Sequence, residues 1–266
     1  MDIPAEAHAV AGLARDLFGD ALVGVYLHGS AATSGLRPRS DVDLILVLDR
    51  PLDDASRRKL LAELLRLSGR YPPDPAGPRC IELMVFLAST LAAPTFPART
   101  EFLYGEWLRD GFEAGEIPTP LADPEITLPL ADPEITLLLA QARKASVTLA
   151  GPPLASLLPS ISAEQIRQAM RIAIPALIDN LVGDERNVLL TLARMWRTAA
   201  HGDFLSKDAA AQWVIPQVPP AIAATLTLAS AAYVGAATDD WRDRQVEVAA
   251  AADYLRRQVE ALLPGE

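Results

Sequence analysis

Two aspartates, Asp41 and Asp43, stand either side of a valine at the head of the apolar run "LILVL", and eleven residues before Asp41 an earlier apolar run breaks at Gly29-Ser30. In a β-strand, residues two apart point to the same face, so the two carboxylates project side by side. Carboxylates held that close repel, and sharing a divalent cation is the usual resolution. Mg²⁺ takes carboxylate oxygens together with substrate phosphates, which makes the pair a natural triphosphate site. Gly29 allows close backbone approach, and Ser30 with neighbouring backbone N–H groups can hold a phosphate at the start of a short helix. Ser40 can fix the approach to the acid pair. Glu82 alternates against apolar neighbours in the later run "CIELMVF" and can add a third carboxylate at the same end of a sheet. A lone D-x-D entering a strand is commonly solvated turn chemistry, and a lone Gly-Ser is weaker still. Their combination, at this spacing and followed by an acid on a later strand, is much more specific.

The elements that must carry these residues are legible from periodicity. "PAEAHAVAGLARDLFG" spaces its apolar positions as an amphipathic helix and ends in a glycine C-cap. "ALVGVYLHG" reads as a first strand and "DVDLILVLD", rich in Val, Leu and Ile, as a second. "SRRKLLAELLRLSG" carries a leucine stripe and is a helix, "YPPDPAGPRC" is a Pro-rich turn, and "CIELMVF" is a third strand. Helix, strand, strand, helix, strand indicates a small mixed sheet with helices. From about residue 117 the chain is punctuated by proline and contains a tandem duplication, LADPEITLP then LADPEITLL. One nine-residue repeat is too short for a solenoid and reads as a lengthened linker, 118–137. Helical segments follow near 138–149, 162–181, 185–200, 207–217, 219–236 and 242–262, with a capping serine in "SISAEQI". The expected fold is therefore α+β: a sheet-containing domain over 1–117, the linker, and an all-α domain over 138–266.

Composition narrows the partners. A net charge of −10 argues against DNA or RNA, whose binding needs a basic face that releases counterions, and favours a cationic small molecule. The single cysteine, Cys80, cannot form an internal disulfide or a multi-cysteine metal site. That suits a reducing cytoplasm, and "MDIPAEAHAVAG" lacks the basic start of a secretory signal. The uncharged run Pro219–Thr238 is built mainly of Ala, Thr and Ser and opens with two prolines, so it reads as a buried helix and not a membrane span. No membrane partner is expected, and the expected state is a monomer.

"HGS…RSDVDLILVL" resembles the signature of the nucleotidyltransferase superfamily, with its polymerase-β-like fold. "YGEWLRDG", "GDERNVLLTLARMWRTA" and "SKDAAAQW" resemble one branch of it, the aminoglycoside 3''/9-adenylyltransferases, and the similarity spans nearly the whole chain. The resemblance implies that MgATP binds between two domains, that a drug hydroxyl attacks the α-phosphorus, and that pyrophosphate leaves. By motif, Ser30 and Ser40 would hold phosphate, Asp41 and Asp43 would bind Mg²⁺, and Glu82 would join them and act as the base. Arg194 in "TLARMW", Lys207 in "SKDAA" and Tyr233 in "AAYVG" match the family's nucleotide contacts. Taken alone, the first two read as surface charges and Tyr233 as a core residue with its hydroxyl at the edge.

Aminoglycosides are polycations. Trp107 in "GEWLRD" offers a flat face for a sugar or a guanidinium, and Asp184 in "GDERN" a carboxylate for a charge-assisted pairing. Both match positions the dual-specificity branch uses for streptomycin, so the resemblance implies both streptomycin and spectinomycin as acceptors. Glu185 and Asn187 are close enough in sequence to contribute, and some family members carry histidine where this chain has Asn187. The bland alternatives are a core tryptophan at 107 and a helix N-cap at 184. Nine extra residues in the linker carry only a small entropic cost. The rival functions are nucleotidyl transfer to a protein or RNA acceptor, which the acidic charge and the C-terminal blocks disfavour, and a non-catalytic sensor, which the intact acid set disfavours.

Overall fold

The computed structural model describes residues 2–74, 76–117 and 132–263. The chain forms two compact units, Met1–Ile161 and Ser162–Glu266.

In the first unit the chain order is α1 (Ala5–Phe18), β1 (Leu22–Leu27), α2 (Gly29–Ala32), β2 (Val42–Leu48), α3 (Asp54–Leu67), β3 (Ile81–Leu87), α4 (Ala88–Ala92), β4 (Phe102–Tyr104), α5 (Arg109–Glu113), α6 (Pro133–Lys144), β5 (Val147–Ala150) and α7 (Leu154–Leu157). The five strands lie in the order β4-β3-β2-β1-β5. Only β2 and β3 run parallel, which makes the sheet mixed, as the sequence implies. Alternation sends the two sides of each strand into two cores. Val42, Leu44, Leu46, Ile81, Leu83 and Val85 pack with α1 and α3 on one face. Tyr26, Ile45, Val47, Met84 and Phe86 pack with α6 and α7 on the other.

Two strands escape the sequence reading. β4 has three residues, too few to display a period. β5 falls where a helix over 138–149 is expected: α6 stops at Lys144, and the β-branched Val147 and Thr148 continue as an edge strand on β1. The first unit accordingly extends through Ile161, beyond residue 138 where the sequence puts the start of the helical domain. The duplication also resolves differently. Its first copy lies outside the described residues, but its second copy opens α6, with Asp132 accepting from the Glu134 N–H at 2.7 Å, Pro133 in the first turn, and Ile135 and Thr136 buried.

The second unit is helical: α8 (Ala163–Asp179), α9 (Glu185–His201), α10 (Lys207–Val214), α11 (Pro220–Tyr233) and α12 (Gln245–Glu260). Ser162 closes a capping box with Gln165, its Oγ accepting from the Gln165 N–H at 3.1 Å while the Ser162 N–H donates to Gln165 Oε1 at 3.2 Å. α9 packs against each of the other four helices and buries Val188, Leu189, Leu192, Ala193 and Trp196. The uncharged run becomes α11, which turns Leu226 and Ala229 into the core, and among the described residues no helix is long and apolar enough to cross a membrane.

Candidate active site

Asp43 and Glu82 are direct partners in the parallel β2–β3 register. Both belong to the face that carries Ile45, Val47, Met84 and Phe86, and both are half-buried at the end where that apolar stripe gives out. Asp41 lies one residue before β2, and the Val42 N–H donates to Cys80 O at 2.9 Å, which carries the ladder back to its level. The Cys80 thiol is pushed up to about 11, by burial first and then by the Asp41 and Glu106 carboxylates nearby. Asp41, Asp43 and Glu82 thus stand at one end of one sheet face, as their spacing implies. Like charges directly opposite destabilise a sheet, so a cation brought to this end of it is favoured.

Gly29 shows how closely the motif is built. Its φ is +63, a conformation other residues rarely adopt, and a Cβ placed there would overlap the Asp43 Oδ2. The His28 N–H donates to Asp43 O at 3.0 Å, so the end of β1 is locked to the acid strand. Beyond Ser30, the Thr33 and Gly35 N–H groups donate to Ser30 O at 3.2 and 2.9 Å, turning the chain sharply. Ser40 Oγ accepts from the Arg37 N–H at 3.0 Å, and Arg79 donates to the carbonyls of Arg37 and Ser40 at 2.9 Å each. Arg79, which pins this loop from the far side of the Pro-rich turn, is missed by sequence reasoning. So is His28, buried and neutral, its imidazole brought down to about 4 by burial.

Among the described residues no group of three or more His, Cys, Asp and Glu side chains is placed to hold a metal ion, so Asp41, Asp43 and Glu82 do not form the three-carboxylate set expected of them. Mg²⁺ does not need such a set, since it binds through one or two carboxylates plus substrate phosphates and keeps several waters. A carboxylate pair with a side-chain-free approach at Gly29 fits that requirement.

Trp107 is 61% exposed and is not a core residue. Leu103 pairs with Met84, and the extended backbone at Gly105 continues the alternation, so Gly105 shares the sheet face of Glu82. A Cβ at Gly105 would overlap the Trp107 ring, which therefore occupies the space a side chain would take on that face.

In the second unit, Lys207 at the start of α10 donates to Asn187 Oδ1, and its Nζ lies 5.9 Å from the Tyr233 ring centroid. Arg194 follows Asn187 by seven residues on α9, two turns along the same stripe. Asp184 precedes α9 but makes no capping hydrogen bond with its side chain. Loss of surrounding water raises its carboxyl, an effect opposed by Asn187 and by the charges of Lys207 and Arg186. Asp184, Asn187, Lys207 and Tyr233 are thus brought together. Glu185 is turned elsewhere: it is buried and accepts from Gln245 Nε2 at 2.6 Å. Burial pushes its carboxyl up, and the Gln245 bond with two backbone N–H groups outweighs this and leaves it below its usual range. Beside it, Arg186 pairs with Asp239 at 3.0 Å, and the Trp241 indole donates to Asp239 at 2.7 Å. A depression of about 450 Å³ opens there, and its lining includes neither Lys207 nor Tyr233.

A mixed sheet presenting paired acids behind a Gly-Ser turn defines a nucleotidyltransferase, and the family model of the nucleotidyltransferase domain matches residues 11–74. The model of the aminoglycoside adenylyltransferase C-terminal domain matches residues 156–258. The chain belongs to the aminoglycoside adenylyltransferase family. It is 40% identical over 261 residues to a spectinomycin 9-adenylyltransferase of Staphylococcus aureus, covering 98% of this chain and 96% of the relative. A spectinomycin 9-adenylyltransferase of Campylobacter jejuni is 37% identical, with 100% and 98% covered, and an aminoglycoside (3'') (9) adenylyltransferase of Escherichia coli is 28% identical, with 97% and 95% covered. The crystal structure of the spectinomycin adenyltransferase of Enterococcus faecalis with ATP and spectinomycin superposes with a TM-score of 0.87 at 30% identity, covering 96% of this chain and 98% of that one.

Proposed function

We propose that the chain transfers AMP from ATP to the 9-hydroxyl of spectinomycin and the 3''-hydroxyl of streptomycin, releasing pyrophosphate and conferring resistance. The observation that carries the reading is the in-register pair Asp43 and Glu82, closed on one side by Gly29. Spectinomycin is the better-supported acceptor, because the relatives at 40% and 37% identity bear its name. Streptomycin rests on Trp107 and Asp184, both of which are accessible.

Glu82 accepts the proton of the attacking hydroxyl. The hydroxyl oxygen forms a bond to the α-phosphorus, the bond from that phosphorus to the bridging oxygen breaks, and the electron pair leaves on pyrophosphate. Asp41 and Asp43, with Glu82 beside them, would hold Mg²⁺, which would supply positive charge to the triphosphate and the leaving group. Gly29 and Ser30 give the phosphates close access to the backbone, and Ser40 holds the loop that delivers Asp41. Arg194 and Lys207 neutralise phosphate charge, and Tyr233 packs at the nucleoside. Trp107 takes a ring of the drug and Asp184 a cation, with Asn187 orienting the carboxylate. Glu185 serves the drug side by fixing the start of α9 through Gln245. The reaction draws on cytoplasmic ATP, and the chain works as a monomer.

The test is Mg²⁺-dependent pyrophosphate release with spectinomycin and with streptomycin separately, with mass analysis of the drug. A gain of one AMP on each drug is expected. Release with spectinomycin alone removes the streptomycin half of the reading, and release with neither overturns it.

A further inference from the structure

We propose that Arg109 is a positioning residue that holds the Trp107 ring beside Glu82 and so sets the affinity for the antibiotic; the inference rests on the reading of Trp107 as the drug platform. The ring stands on a single 3₁₀ turn, Glu106–Leu108, between the end of β4 and α5. The Leu108 N–H donating to Gly105 O at 3.0 Å and the Arg109 N–H donating to Glu106 O close the turn on itself, and the Arg109 side chain ties it to the rest of the unit. The Arg109 guanidinium is buried, with 5% of the residue exposed. It donates to Glu106 Oε1 at 2.7 Å, to the carbonyls of Leu65 and Ser68 at 3.2 and 3.1 Å, and to Glu113 Oε1 at 3.3 Å. The Leu65 carbonyl belongs to the C-terminal turn of α3, the negative end of that helix, where a cation is favoured, and the Ser68 carbonyl belongs to the extended C-cap directly after it.

One planar fork therefore ties the turn that carries Trp107 to α3 in the body of the unit. A lysine cannot reproduce this, because an ammonium lacks the fixed fan of donors. Glu106 is the second member of the clamp, and among the described residues its Oε2 is buried without a hydrogen-bond partner. A buried carboxylate oxygen left in that state is costly, which is consistent with Glu106 being kept for its bond to Arg109 and not for its own stability. The Tyr104 and Phe112 rings stack at 5.6 Å and brace the same corner, so the turn has a firm base. On that base, the Trp107 ring is held over Gly105, on the face of Glu82.

The experiment is a double-mutant cycle of Arg109→Lys and Trp107→Ala, reading the drug Kd by calorimetry with a non-hydrolysable ATP analogue present, together with KM for ATP and kcat. The expected result for Arg109→Lys is a drug Kd raised about five- to tenfold, with the ATP KM and kcat within about twofold. Trp107→Ala raises the drug Kd as well, and the double variant binds no more weakly than Trp107→Ala alone. Should Arg109→Lys fail to fold, Glu106→Gln and Glu106→Ala read the same link: the amide keeps an oxygen for Arg109 Nε and a near-native drug Kd, and alanine loses both. Additive effects overturn the proposal, as does a parallel loss in ATP KM and kcat. An unchanged drug Kd in Trp107→Ala overturns it together with the platform reading. Because Kd is read without turnover, failure of AMP transfer leaves this test standing.

Discussion

Asp43 and Glu82 face each other across the parallel β2–β3 pair, and Gly29 closes most tightly against the first of them. The two carboxylates therefore have different surroundings although they share a face. Asp43 lies against the Gly29 backbone and is suited to holding a cation, whereas Glu82 lies on the side toward Gly105 and Trp107 and is suited to meeting the acceptor. Glu82→Gln removes the proposed base and keeps the shape. The expected outcome is a fall in kcat of about 10²- to 10⁴-fold with ATP affinity largely retained, measured by pyrophosphate release and by calorimetry. Loss of ATP binding to the same degree would reassign Glu82 from base to metal ligand alone.

Gly29→Ala tests the cradle from the other strand. Alanine at φ +63 is strained, and its Cβ would displace the Asp43 carboxylate. The strain costs on the order of 1–3 kcal/mol, and activity should fall by more than the stability loss predicts. Gly202→Ala is the control, because Gly202 also has positive φ, at 73, but meets no atom within 4 Å. Equal losses of activity in the two variants would rule out a special role for Gly29.

Glu101 and Arg57 make a buried ion pair that joins the start of β4 to α3. Arg57 also donates to Glu101 O at 2.6 Å, and Glu101 Oε1 accepts from the Leu52 N–H at 3.1 Å. Glu101→Ala takes the carboxylate away from a buried guanidinium, which keeps its bond to the backbone carbonyl at 101, and removes the acceptor of the Leu52 N–H. Breaking such a pair costs about 3–5 kcal/mol, which lowers the melting transition by roughly 10 °C. A shift of only a degree or two in a thermal scan would show that water replaces the carboxylate.

α1, β1, β2, α3 and β3 were legible because each is long enough to show its period, and Asp41, Asp43 and Glu82 because their spacing on strands fixes a shared face. β4 and β5 were not, since three or four residues carry no period and their pairing is set by long-range register. Arg109 was illegible for another reason: beside Asp110 in "WLRDG" it reads as a surface charge, and only the fold brings the carbonyls at the end of α3 to it. Glu185 shows the reverse error, a charged residue next to the proposed drug contact Asp184 that the helix turns inward to Gln245.

The duplication gives a matched pair of deletions. Removing 121–129 leaves the copy that opens α6 intact, and shortening a connection by nine residues changes closure entropy by under about 1 kcal/mol. Removing 130–138 instead brings Pro129 to the position of Leu138, six residues into the helix, where proline lacks the N–H and costs about 3 kcal/mol or more. The first deletion should melt within a few degrees of the full chain and the second well below it. Equal melting temperatures would mean that the start of α6 contributes little to the first unit.

Asp184 carries a pH signature that separates a drug contact from a bystander. Its carboxyl is raised by loss of water, with Asp239 from the α11–α12 loop adding to the shift, while Asn187, Lys207 on α10 and Arg186 on α9 act against it. Only the ionised carboxylate attracts a drug ammonium or guanidinium, and a raised carboxyl gains its proton earlier on acidification than an ordinary aspartate. Drug affinity should therefore fall as the pH drops, beginning above the usual carboxylate range, although the drug itself stays fully cationic. Asp184→Asn should weaken binding on the order of tenfold at neutral pH and flatten this dependence. Calorimetric titrations of streptomycin at a series of pH values would show it. An unchanged slope in the variant would assign the pH dependence to another carboxylate and leave Asp184 as a surface residue before α9.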